Sequence, residues 1–223
     1  MPERESARDA AGEGSTTKVI AAAVFTALLL GIFAVVADAA PGPLGRLLLI
    51  VASTGLAWGV AAFALGAWAP RPGPAAVAGG LVIVGAVLTY YGCIATFGLR
   101  GADPGSLAHA GWVWGAGGLI GGPTLGVLGW HAVRASGRLR SAIWGVVAGL
   151  LLSQGVYLLA RSSGGLLEAE GGSLRILLLV ALPLPVLLLL VGSRRRHLAL
   201  GLAVMAAVSG VGAIAWWLLL RLV

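Results

Sequence analysis

The stretch Ala75 to Phe97, AAVAGGLVIVGAVLTYYGCIATF, runs for 23 residues without one charged side chain. As an α-helix it reaches about 34 Å, enough to cross the ~30 Å hydrocarbon layer of a bilayer. Working outward, six further stretches have the same character: Val19 to Val36, Leu47 to Trp68, Trp112 to Ala132, Ala142 to Leu159, Leu174 to Val191 and Leu198 to Leu220. The sequence therefore predicts an all-α fold, a polytopic transmembrane helical bundle of seven spans. Residues 1–18 carry Glu3, Arg4, Glu5, Arg8, Asp9 and Glu13 among small residues and are expected to form a disordered cytoplasmic tail. Residues 19–223 form one membrane domain.

Composition supports lipid as the solvent. The chain is 59% hydrophobic and 10% charged, against roughly 45–50% and 25% for a soluble domain. Its net charge of +7 has no soluble basic domain in which to act, so a nucleic-acid partner is not expected. The lone Cys93 has no disulfide partner in the chain.

The basic residues set the orientation. Arg71, then Arg134, Arg138 and Arg140, then Arg194, Arg195 and Arg196 fall in alternate connections, on the same side as Arg4, Arg8 and Lys18. The opposite side holds Arg46, Arg100, Arg161, Arg175 and Arg221. Cytoplasmic loops are the base-rich ones, which puts the N-terminus in the cytoplasm and the C-terminus outside, in the plasma membrane. Arg194 to Arg196 are expected to attract anionic lipid headgroups at the inner surface. Trp68, Trp130 and Trp144 then mark the inner interface, and Trp112, Trp114, Tyr157, Trp216 and Trp217 the outer one. Ala37-Asp38-Ala39 has the small-x-small form of a processing site, yet the preceding apolar run is too long for a signal peptide, so an uncleaved span is expected.

Glycine patterning points to helix contacts. Gly111, Gly115, Gly118, Gly122, Gly126 and Gly129 project onto one face of the fourth span at about 100° per residue. Small side chains let two backbones approach in lipid, where no hydrophobic drive joins helices. Such a face serves helix packing, a groove wall or a membrane-protein partner. Pro123 in the fourth span and Pro183 and Pro185 in the sixth are expected to kink or loosen their helices. A shift of 64 residues superposes Gly73, Gly85, Thr89 and Tyr90 on Gly137, Gly149, Ser153 and Gln154. Gly201 and Ser209 answer Gly145 and Ser153 more weakly, so the pattern is either a repeat or chance in Gly- and Leu-rich helices.

No charged residue occupies a mid-span position, so a carboxylate relay for ion coupling is absent from the expected places. What remains is neutral. Thr89 and Tyr90 in the third span, Ser153, Gln154 and Tyr157 in the fifth and Trp216 in the seventh lie in the outer half. Aromatic walls with a few hydroxyl and amide groups are the lining of a small-molecule pocket. The plainer alternative is that the hydroxyls bond back to their own helices and Gln154 joins two spans. His109, Asp103, Glu168 and Glu170 match no metal motif, and no cofactor or metal is expected. Catalytic signatures are missing too, and Lys18, the only lysine, precedes the first span. An enzyme is therefore not expected.

The segment Ser53-Thr54-Gly55-Leu56-Ala57-Trp58, the pair Tyr90-Tyr91, Gly121-Gly122-Pro123 and Gln154-Gly155-Val156-Tyr157 resemble an uncharacterised family of multi-pass integral membrane proteins, a domain of unknown function, from high-GC Gram-positive bacteria. In proteins similar to these an acid often stands where Gln154 stands here. The resemblance implies the architecture and supplies no reaction. Two roles are left open: binding or transport of a small apolar or amphipathic solute through an outward-facing cavity, and a non-transporting scaffold or accessory subunit that packs through its glycine faces.

Overall fold

The computed structural model describes residues 2–53, 55–99, 103–161, 179–180 and 195–221. Among them are seven helices and no strand: α1 Pro2–Ala39, α2 Gly42–Ser53, α3 Leu56–Trp68, α4 Pro72–Phe97, α5 Pro104–Arg134, α6 Gly137–Arg161 and α7 Arg195–Leu219. The fold is all-α. The chain divides into two units, Met1–Val133 and Arg134–Val223.

Among the described residues, four helical segments are long and apolar enough to cross a membrane: Gly14–Ala39, Pro72–Phe97, Gly137–Ala160 and His197–Leu219. The stretch expected as one span from Leu47 to Trp68 is instead a bent pair, Gly42–Ala52 and Leu56–Trp68, meeting at 46°. The break falls at Gly55, whose φ of +65° only glycine adopts at little cost. α5 is 31 residues long, but its many glycines and tryptophans make it less apolar than the other four. Pro123 lies inside it, with helix on both sides. The sixth stretch, with Pro183 and Pro185, lies outside the described residues except for Leu179 and Val180, both helical.

α1 begins at Pro2 rather than at the apolar boundary near Val19. A proline at the first helical position followed by Glu, Arg and Ala supplies good helix formers, onto which the apolar helix extends at small additional cost. The other boundaries follow local chemistry. Ala69 and Arg71 are extended on either side of Pro70, and Pro72 opens α4. Gly98, at φ +60°, closes α4 with its N–H on the Ile94 carbonyl. Asp103 caps α5: its Oδ2 accepts the Ser106 N–H at 3.0 Å, and Pro104 takes the first position.

Burial in the first unit is inverted relative to a soluble protein. On α1 the buried residues are Val19, Ala23, Ala27, Ala34 and Ala37, while Phe25, Leu29, Ile32 and Val36 are at least half exposed. Small residues face the neighbouring helices and large apolar ones face outward. In water such a surface would aggregate; in lipid it is the solvated face.

The glycines fix the registers. A methyl added at Gly85 would lie 2.9 Å from the Ala27 side chain, and one at Gly31 would lie 2.9 Å from the Ala86 carbonyl oxygen. Partner numbers rise together, so α1 and α4 run parallel. Between α4 and α5 they run in opposition. Gly126 meets the Ala75 carbonyl, a methyl at Gly122 would lie 2.6 Å from the Gly79 oxygen, and one at Gly118 would lie 2.9 Å from Ile83. α4 and α5 are therefore antiparallel. Gly129 of α5 lies against the Phe63 carbonyl of α3, and Gly66 of α3 lies against the Gly126 carbonyl of α5, which joins α3 to the same seam.

The second unit repeats the parallel arrangement. Ser141 on α6 donates its hydroxyl to the His197 carbonyl at the start of α7. A methyl at Gly145 would lie 2.5 Å from the Gly201 oxygen, one at Gly149 2.7 Å from the Met205 oxygen, and one at Gly212 2.6 Å from Ser153 Cβ. Ser141, Gly145, Gly149 and Ser153 recur every fourth residue and form one narrow seam along α6. On the far side of that helix, Gly155 receives Leu179 and Val180.

Candidate functional site

The residues expected in the outer half divide between the two units. Thr89 and Tyr90 belong to the first; Ser153, Gln154, Tyr157 and Trp216 belong to the second.

In the first unit α4 presents Thr89 to α1. The Thr89 hydroxyl donates to the Gly85 carbonyl at 2.8 Å, and its Cβ and Cγ2 fill the hollow at Gly31. A β-branched hydroxyl residue on a helix in lipid bonds back in this way because no water is there to take the proton. Tyr90 packs beside Ala34, Ala37 and Ala52 with Phe33 and Trp58, and its ring meets Tyr91 edge-on at 5.0 Å. The Trp58 indole nitrogen in this cluster is buried and has no hydrogen-bond acceptor.

The second unit holds the buried polar row. Ser153, Gln154 and Tyr157 expose 2%, 5% and 6% of their surface. Ser153 donates to the Leu150 carbonyl at 2.6 Å and touches α7 at Gly212. Its counterpart Ser209 on α7 likewise bonds back, to the Ala206 carbonyl at 2.9 Å. Both hydroxyls are thereby satisfied within their own helices. Gln154 lies about 100° round α6 from Ser153, between the face on α7 and the face on Leu179, and Tyr157 lies one turn above the seam. Trp216 is half-buried. A buried amide brings two donors and a carbonyl acceptor into the interior of the second unit.

Of the six glycines expected on one face of α5, Gly118, Gly122, Gly126 and Gly129 are buried. A methyl added at Gly111 would make ordinary contact with Tyr91 at 3.6 Å, and one at Gly115 would meet nothing within 4 Å. The α6 seam of Ser141, Gly145, Gly149 and Ser153 was not read from the sequence as a packing face, although its four-residue spacing is plain. Trp68 and Trp112 are exposed, whereas the Trp130 and Trp144 indole nitrogens are buried and Tyr157 is enclosed.

No group of three or more metal-ligating side chains occurs among the described residues. Asp103, one of the acids weighed as an outer ligand, uses its carboxylate in the α5 cap.

Residues 10–222 match a family of unknown function, DUF6518. The chain belongs to that family. The matched region takes in the candidate residues of both units. No curated protein and no solved structure matches the chain.

Proposed function

We propose that this family member is a seven-span integral protein of the plasma membrane, N-terminus cytoplasmic and C-terminus outside. It binds, and in the fuller reading transports, a small apolar or amphipathic solute at the α6 row of Ser153, Gln154 and Tyr157, with Trp216 on α7.

Two parallel helix pairs support the span count. A chain whose successive crossings alternate brings two helices parallel only after an intervening crossing. α2 and α3 supply that crossing between α1 and α4. Between α6 and α7 the run from Leu174 to Val191 is long and apolar enough to do the same. The arginine distribution supports the orientation.

The observation that carries the solute reading is the enclosure of Gln154 and Tyr157, at 5% and 6% exposure, on a helix otherwise packed through glycine and serine. An amide and a phenol enclosed on one helix place donors and acceptors in an otherwise apolar interior. Such a row recognises one acceptor or donor on an otherwise apolar molecule. The role involves no catalytic step.

The test is purification of the full chain in mild detergent and mass spectrometry of what copurifies. A bound small molecule present with the native chain, and lost with Gln154→Leu and Tyr157→Phe while the protein stays monodisperse, supports the reading. Identical small-molecule content in all three contradicts it.

The scaffold reading rests on a different face. Gly118, Gly122, Gly126 and Gly129 of α5 are occupied inside the first unit, but methyls at Gly115, Gly117 and Gly121 would meet nothing within 4 Å. A membrane partner would seat there. Copurification of a stoichiometric membrane protein, abolished by Gly117→Leu with Gly121→Leu, is its distinguishing result.

A further inference from the structure

We propose that Arg221 and Trp217, at the C-terminal end of α7, form a headgroup site for an anionic phospholipid. The Arg221 Cζ stands 3.7 Å from the centroid of the Trp217 ring. Both side chains are exposed, Trp217 at 44%. Stacking engages the flat face of the guanidinium and leaves its N–H edge free to donate to two oxygens of one phosphodiester.

The helix below gives the site its acyl half. Val211, Ile214 and Leu218 are exposed on the stripe that ends in Arg221, at steps of three and four residues. The last turn is closed, with the Leu220 N–H on the Trp216 carbonyl at 3.0 Å and the Arg221 N–H on Leu218 at 3.1 Å. The cation therefore sits at a fixed height above an apolar strip, as a lipid headgroup sits above its chains. The guanidinium is a fixed cation, so it favours an anionic headgroup. A free phosphate would use the guanidinium but not the strip, and the lipid uses both. The inference rests on α7 spanning a bilayer and holds for whichever leaflet receives its C-terminal end.

The experiment is native mass spectrometry of the full chain in detergent with added phosphatidylglycerol or phosphatidylcholine. It is run in a background carrying Arg194→Gln, Arg195→Gln and Arg196→Gln, so that the other arginine cluster does not contribute. The expected result is retention of phosphatidylglycerol over phosphatidylcholine, reduced about fivefold by Arg221→Gln. Trp217→Leu reduces it by a smaller factor, and millimolar inorganic phosphate leaves it in place. Equal phosphatidylglycerol retention with and without Arg221→Gln overturns the proposal, as does full displacement by phosphate, which would mark a free-anion site. Failure of the membrane reading is seen separately, as release of the chain from membranes by alkaline extraction.

Discussion

At the scale of single residues, the energetics turn on where a methyl group fits. Gly126 lies against the Ala75 carbonyl and Gly129 against that of Phe63. A side chain there drives two backbones apart, and overpacking of this kind costs about 1–3 kcal/mol or more. Gly126→Ala and Gly129→Ala are expected to lower the Tm of the detergent-solubilised protein by several degrees. Gly115→Ala, with nothing within 4 Å, should leave Tm unchanged or raise it, because alanine favours helix by about 1 kcal/mol over glycine. Equal effects at the three positions would contradict the registers described above. Thr89 offers a second contrast. Its hydroxyl serves its own helix while its methyl fills the Gly31 hollow, so Thr89→Val keeps the shape and should change stability by less than about 1 kcal/mol. Gly31→Ala, facing the same contact, should be clearly destabilising in the same thermal assay.

Among the elements, the sharpest departure from sequence expectation is the broken second stretch. Ser53, Thr54 and Gly55 sit within an apolar run that reads as one span, and small residues are ordinary inside membrane helices. Hydropathy carries no information on φ, so the left-handed Gly55 was not legible. Gly55→Ala at φ +65° is expected to cost about 1–2 kcal/mol, seen as a lower Tm. A rise in Tm would mean that α2 and α3 prefer one straight helix. The apolar run from Ala75 to Phe97 matches α4 at its end and falls three residues short of its start at Pro72. The α5 glycine face was legible from its period, yet its partners were not, since a small residue shows that something approaches without showing what. For the same reason the sequence did not show that the Ser153 hydroxyl returns to the Leu150 carbonyl or that its Cβ faces Gly212. The seam between α6 and α7 is the corresponding test at this scale: Gly145→Leu with Gly149→Leu should separate the pair, making the segment between them more accessible to protease than in the native chain.

For the whole molecule, the two units share a plan that neither composition nor hydropathy displays. In each, two helices pack in parallel, at offsets of 58 residues for Ala27 with Gly85 and 56 residues for Gly145 with Gly201. Parallel pairing of helices so close in sequence calls for a chain that goes out, returns and goes out again. The inverted burial of α1, alanine inward and Phe25, Leu29 and Ile32 outward, names the solvent in which that is stable. The most direct test is cysteine accessibility in intact cells, on a Cys93→Ala background, with single cysteines at Arg71, Ser136, Arg194, Gly101 and Val223. The account predicts that a membrane-impermeant maleimide labels the last two and spares the first three until the membrane is opened. Labelling of Val223 and Arg194 from the same side, or reaction of all five in a soluble fraction, would contradict it.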